Sequence, residues 1–304
     1  MRALVFHNPT AGTNGHEKEG ILAALRLADI EASYFSTKKD DIDKALGKSA
    51  DLIVAAGGDG TIAKVLRSLT NRSTPVAILP LGTANNIARS LGIAGTPQEL
   101  VETWKIDHTF PLNIGALKGV DEDSVFLESF GVGLFGEFLR RAAKKEKAEG
   151  ADNLRKGREL LQKVVKSAEP VPLELTADGK SVHGEFLGVE ILNIPFTGPG
   201  LPLAPEADAG DGKLDVVCFK ADQRKELIEW LEAPHDAPPP ARTLQAAKIE
   251  ISWQKAPHRL DDKCFEAHEL TNSGKLACED KPVRILVPVK HPAQKKTEER
   301  VASA

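Results

Sequence analysis

Three short segments of the chain carry residue types that can hold phosphate: Asn8-Pro-Thr-Ala-Gly12, Gly57-Gly-Asp-Gly-Thr61 and Pro80-Leu-Gly-Thr-Ala-Asn-Asn86. Each follows a strand-like apolar run and precedes a segment with helical spacing. Each therefore lies where the C-terminal end of a strand meets the N-terminus of a helix. There the first backbone N–H groups and the helix dipole favour an anion. Glycine lets the backbone come close to its ligand, and Asn8, Thr61, Thr83 and Asn85 add short polar side chains. Any one of these segments could be an ordinary strand–helix turn. Three along one edge of a sheet would suit a polyphosphate. Asp59, a carboxylate among phosphates, is then expected to engage Mg²⁺ through water.

The elements that must position these turns divide the chain in two. Up to about residue 110, strand and helix alternate: strands at 2–8, 30–36, 51–58 and 75–80, helices at 16–28, 38–46, 61–70 and 83–92. The run 51–58 is almost continuously apolar, as in a strand buried on both faces. This alternation predicts a nucleotide-binding α/β domain over 1–110, a parallel sheet flanked by helices. In such sheets ligands bind beyond the C-terminal strand ends. From 111 to 290 strand-like runs dominate, at 111–117, 124–130, 171–177, 185–194, 213–219, 246–252 and 283–289. They predict a β-rich antiparallel sandwich or barrel. It is interrupted by helical segments at about 134–167 and 222–232, and by a Pro-rich loop at 232–242. Residues 291–304 read as a polar tail.

Composition narrows the classes. The chain has 304 residues, 41% hydrophobic and 28% charged, with a net charge of −4, so it is expected to be soluble and not to bind nucleic acid over its whole surface. Cys218, Cys264 and Cys278 form no CxxC pair, which suits reduced thiols inside a cell. The apolar N-terminal run is too short for a signal peptide, and no 18-residue apolar stretch occurs, so a cytoplasmic protein is expected. Gly131-x-Gly-x-x-Gly136 matches a dinucleotide fingerprint but stands outside any strand–helix–strand alternation. Gly47-Lys-Ser49 lacks the first glycine of a P-loop.

The three turns, in this order and spacing, resemble the diacylglycerol kinase catalytic family, and more narrowly its soluble bacterial lipid kinases, which share a superfamily with sphingosine kinases and NAD kinases. Segments 110–117, 128–138, 193–219 and 225–231 continue the resemblance to about residue 290. The resemblance implies a nucleotide-binding first domain, a β-rich lipid-substrate domain and an active site in the cleft between them. It implies ATP- and Mg²⁺-dependent phosphorylation of a hydroxyl of diacylglycerol or a related lipid. Asn8, Gly12, Gly57, Gly58, Gly60, Thr61, Gly82 and Thr83 would surround the phosphates, and Asn85 and Asn86 would shape the nucleotide pocket.

Two acidic segments bear on the chemistry. Glu206, Asp208, Asp211 and Asp215 form Asp-x-Gly spacing that fits either a plain turn or a Mg²⁺ site. In the family this block holds a structural Mg²⁺, and Asp211 and Asp215 match it. The reaction also needs a base, which in the family is the Asp of an Asp-Gly-Glu motif before the last strands. Alignment on Pro282-Val283 puts Glu279, Asp280 and Lys281 there, a departure that replaces all three residues. Glu279 is the candidate base. An NAD kinase-like enzyme and a catalytically altered lipid or nucleotide sensor stay open beside the lipid kinase. The basic segment 137–167 is either an amphipathic helix packed on the β domain or a face for anionic lipid, which would place the protein peripherally at the inner membrane surface. A homodimer is left open.

Overall fold

The computed structural model describes residues 1–11, 18–120, 123–144, 150–235, 237–267 and 269–288. They fall into two compact units, one of Met1–Leu112 with the chain from Lys281 on, the other of Asn113–Asp280.

In the first unit β1 (Arg2–His7), α1 (Lys18–Leu27), β2 (Glu31–Ser36), α2 (Ile42–Leu46), β3 (Leu52–Gly57), α3 (Asp59–Arg67), β4 (Val76–Pro80), α4 (Asn86–Ser90), α5 (Pro97–Thr103) and β5 (Thr109–Leu112) follow in order. β1 pairs in parallel with β2 and β3, and β3 with β4. All six residues of β3 are buried, because side chains on both faces of this strand meet packed layers. α3 buries Ile62, Ala63, Val65 and Leu66, the apolar stripe predicted from its spacing. Asp41 caps α2 by accepting the N–H of Lys44 at 3.0 Å. α5, which the sequence reading passed over, opens on a capping box of Thr96 and Glu99 with Pro97 in its first turn.

The C-terminal part of the chain departs from expectation. The strand Val283–Leu286, read above as part of the β-rich half, joins the first sheet, parallel to β4 and antiparallel to β5. An apolar run of this length suits either sheet, and its partner is set by pairing alone. The expected tail 291–304 lies outside the described residues.

The second unit contains two six-stranded sheets whose pairings are all antiparallel. One runs Lys180–Phe186, Val171–Ala177, Lys248–Trp253, Asn272–Cys278, Gly115–Lys118 and Ser124–Phe126. The other runs Arg242–Ala246, Leu214–Phe219, Gly188–Leu192, Ser129–Gly133, His258–Leu260 and Lys263–Phe265. Leu173, Leu175, Ile249, Ile251 and Trp253 of the first pack with Phe130, Val132, Val189, Ile191 and Val216 of the second. The helical insert is two helices, α6 (Leu134–Ala142) and α7 (Gly150–Ser167), joined in the same apolar cluster by α8 (Arg224–Trp230). Their Phe135, Phe138, Leu161, Val164, Leu227 and Trp230 cluster with Leu192, Val217 and Phe219 of the second sheet. That sheet is thus covered on both faces, and Gly188–Leu192 is buried throughout. Val171–Ala177 in the other sheet shows an alternating pattern, one face to the core and one outward.

Candidate phosphate-binding turns and acidic cluster

The turn after β1 is held by its own polar residue. The Asn8 carbonyl accepts the N–H of Ala11 at 3.1 Å, and its Oδ1 accepts the N–H of Thr10 at 3.2 Å and its hydroxyl at 2.9 Å. This leaves the Asn8 amide nitrogen pointing across the sheet edge, where it donates to Thr61 Oγ1 at 3.2 Å. Gly12 lies outside the described residues.

The second turn begins α3 on Gly58, an extended residue that supplies no side-chain cap. A β-carbon on Gly57 would sit 2.6 Å from Thr61 Cβ, so only glycine lets the hydroxyl-bearing first turn of α3 fold back over the strand end. The third turn is ordered by Asn85, in the left-handed region at φ 49. Its Oδ1 accepts the N–H of Gly82 at 2.9 Å and its Nδ2 donates to the Gly82 carbonyl at 2.9 Å. Thr83 is half-buried in this turn, and Asn86 is 1% exposed in the first turn of α4.

These turns touch. The N–H of Leu81 donates to the Gly57 carbonyl at 3.0 Å. A β-carbon on Gly82 would overlap the Gly58 Cα and stand 2.9 Å from Asn85 Oδ1. Asp59 Oδ1 accepts the N–H of Ile87 at 2.9 Å, so one oxygen of this carboxylate is committed to joining α3 to α4. The result is a rim of adjoining backbone with Gly57, Gly58, Gly82, Asn8, Thr61 and Asn85 together, Gly60 exposed beside them. A triphosphate suits this rim, because glycine backbone leaves room for oxygens and the amides supply donors.

The acidic segment of the second unit is a tight loop. Asp208 Oδ1 accepts the N–H of Gly210, Asp211 Oδ1 that of Lys213, and Asp211 Oδ2 the amide of Gln245 at 3.0 Å. The Asn113 side-chain oxygen takes the N–H of Gly212 at 2.6 Å. Burial first, and then the neighbouring carboxylate of Asp211, push Asp215 up to about 6. Carboxylates crowded in this way are of the ligand type a hard divalent cation takes. Among the described residues no cluster of three or more His, Cys, Asp or Glu has the arrangement of a complete metal site.

Glu279 lies next to this loop. Its N–H donates to the Ile114 carbonyl at 2.8 Å, and Cys278 Sγ lies 3.6 Å from the Lys213 carbonyl. Asn193, 2% exposed, ties the neighbourhood: its Nδ2 donates to the carbonyls of Asn113 (2.8 Å) and Leu127 (3.0 Å). The sequence reading did not single out Asn193. It also missed a second acidic turn, Asp261-Asp262 between His258–Leu260 and Lys263–Phe265. Asp261 sits at φ 51 and is 5% exposed. Its carboxylate accepts the N–H groups of Leu127, Glu128 and Ser129 at 2.8–3.2 Å. The available signal was an acidic residue followed by Asp-Lys, which occurs here as Asp261-Asp262-Lys263 as well as in Glu279-Asp280-Lys281.

Some of the basic side chains on α6 and α7 are paired with acids of the same helix. Glu137 accepts from Arg140 and Arg141, and their hydrogen bonds hold its carboxyl below the usual range despite burial. Asp152 pairs with Arg155 and Lys156 at 2.6 and 2.7 Å. Among the described residues no helix is long and apolar enough to cross a membrane.

Comparison with known proteins bears on both units. Residues 2–117 match the model of the diacylglycerol kinase catalytic domain, and residues 150–262 that of the YegS C-terminal NAD kinase beta sandwich-like domain. A diacylglycerol kinase of Bacillus subtilis is 32% identical over 244 residues, 75% of this chain and 76% of the relative. A protein named probable lipid kinase YegS-like from Pseudomonas aeruginosa is 32% identical over 72% of each chain. A diacylglycerol kinase structure from Bacillus anthracis superposes with a TM-score of 0.72 at 21% identity, covering 96% of this chain and 98% of the other. An NAD kinase from Archaeoglobus fulgidus in complex with ATP gives 0.56 at 17% identity over 99% of both chains, a likeness of fold.

Proposed function

We propose, from the premise that this chain belongs to the diacylglycerol kinase family of lipid kinases, that it transfers the γ-phosphoryl group of ATP to a hydroxyl of diacylglycerol or a related lipid. The observation that carries this reading is the convergence of the three turns, with Asn8 bonded to Thr61 and Gly58 in backbone contact with Gly82. Asn8, Thr61, Thr83 and the backbone of the glycine turns would surround the phosphates, and Asn85 and Asn86 would shape the pocket beside them. The rigid rim fixes the phosphoryl group for in-line attack, and its amides stabilise the charge that develops there.

Asp211 and Asp215 would hold Mg²⁺, which supplies counter-charge. The pH dependence tests this. The pKa of Asp215 is raised on folding, so the folded state disfavours its charged form, and stability falls as pH rises from about 4 through about 6. Asp215→Asn is therefore expected to raise Tm at pH 7.5 and to leave it unchanged at pH 4. Mg²⁺ is expected to raise the wild-type Tm at pH 7.5 and not that of the variant. A Tm of the wild type blind to Mg²⁺ at pH 7.5 would remove the metal from this loop.

Two carboxylates compete for the substrate proton. Glu279 takes the motif's Asp position by alignment on Pro282-Val283. Asp261 keeps an aspartate on a tight turn before the last strands and lies inside the matched C-terminal segment, which ends at 262. This favours Asp261 as the second, and stronger, assignment. Purified protein with Mg-ATP and a panel of diacylglycerols and long-chain diols tests the function as a whole: ³²P in a lipid product is expected. Phosphorylation of NAD in place of lipid would give the assignment to the NAD kinase reading, and ATP binding without turnover to a sensor.

A further inference from the structure

Arg259 and Glu190 form an ion pair inside the second unit, their side chains 3% and 1% exposed. Burying two charges is costly before they pair, and apolar residues of similar size often serve stability better. The surroundings are built for the pair. Gly131 faces both Arg259 and Glu190 across the sheet, and a β-carbon there would overlap the Glu190 carboxylate. Arg259 Nη2 donates to Glu190 Oε2 at 2.7 Å, to Thr197 Oγ1 at 2.5 Å and to the Ser129 hydroxyl. Its guanidinium lies over the Phe135 ring, 5.3 Å from the centroid.

The remaining arm gives the arrangement a purpose beyond packing. Arg259 Nη1 donates to the carbonyl of Asp261 at 2.7 Å, so the arginine grips the backbone of the turn residue that stands at positive φ. The Asp261 carboxylate in turn gathers the amides of Leu127, Glu128 and Ser129. Thr197, bonded to the same arginine, reaches Glu128 Oε2 at 3.5 Å. One guanidinium therefore fixes the Asp261 turn and the 127–129 segment together. We infer that Arg259, neutralised by Glu190, is a positioning residue that sets the Asp261 carboxylate for phosphoryl transfer. The inference rests on the lipid-kinase reading with Asp261 as proton acceptor. A planar fork is needed, because lysine has no second arm to hold Asp261 and the Ser129–Thr197 pair at once.

The test uses Arg259→Lys and the double variant Glu190→Gln/Arg259→Met, which leaves no lone buried charge and so stays foldable if the single variant does not. Both are expected to keep KM for ATP, to lose about 10–100-fold in kcat, the scale of a misplaced reacting group, and to exchange the amides of 127–129 at least tenfold faster while strand amides elsewhere are unchanged. Folded variants with wild-type exchange at 127–129 would overturn the clamp whatever their activity. Faster exchange with an unchanged kcat would overturn its part in the reaction. Wild-type protein that transfers no phosphate would instead sink the kinase reading, and the positioning role with it.

Discussion

Gly82→Ala is expected to disable the protein more than any other single methyl group added to the turns. The new carbon would overlap the Gly58 Cα and crowd Asn85 Oδ1, which accepts the Gly82 N–H. The Gly58 Cα is backbone and cannot turn aside as a side chain could, so the backbone of the two turns must separate. Overpacking of this kind costs about 1–3 kcal/mol of stability. The functional loss should be larger, because the displaced backbone is that proposed to surround the phosphates; a shift of about 1 Å at such a site costs roughly 100-fold in rate. Gly58→Ala provides the graded control. Its β-carbon would stand 3.1 Å from the Gly82 Cα, tight but tolerable with small movement. Calorimetric ATP binding and thermal unfolding of both variants measure the effect. Equal ATP affinity in Gly82→Ala and wild type would separate this rim from nucleotide binding.

Asp261→Asn and Glu279→Gln distinguish the two candidate bases. Loss of a general base costs about 10²–10⁴-fold in kcat. Asp261→Asn is expected to fall in that range with ATP affinity unchanged. Glu279→Gln is expected to stay within about tenfold of wild type, since its segment is the passage from Asn272–Cys278 to Val283–Leu286 and lacks a tight turn. Stopped turnover in Glu279→Gln with activity kept in Asp261→Asn would reverse the assignment and remove the basis for the Arg259 clamp. Asparagine retains an acceptor for the amides of 127–129, which keeps a simple loss of fold from being mistaken for loss of chemistry.

Much of the fold was legible because its signals are local. The run 51–58 reads as a buried strand, found at Leu52–Gly57, and the segment 61–70 as a helix from its spacing. The signal for α5 was equally present in Thr96-Pro97-Gln98-Glu99, an N-cap, a first-turn proline and a box-closing glutamate. The short strands His258–Leu260 and Lys263–Phe265 were not legible, because an arginine and a lysine within three residues each read as surface. Val283–Leu286 was legible as a strand, yet its sheet was not.

The sequence by itself determined the strand–helix alternation, the glycines that permit close turns, and the family to which they belong. These depend on residue type and spacing along the chain. Tertiary structure alone decided that Asn8 meets Thr61, that Gly58 and Gly82 share one backbone contact, that the last strand returns to the first sheet, and that Arg259 is buried against Glu190. The physical reason is that a hydrogen bond or an ion pair between residues tens of positions apart leaves no periodic trace in either segment. Only the pairing of strands, which selects one partner among several apolar runs of equal length, brings such residues within bonding distance.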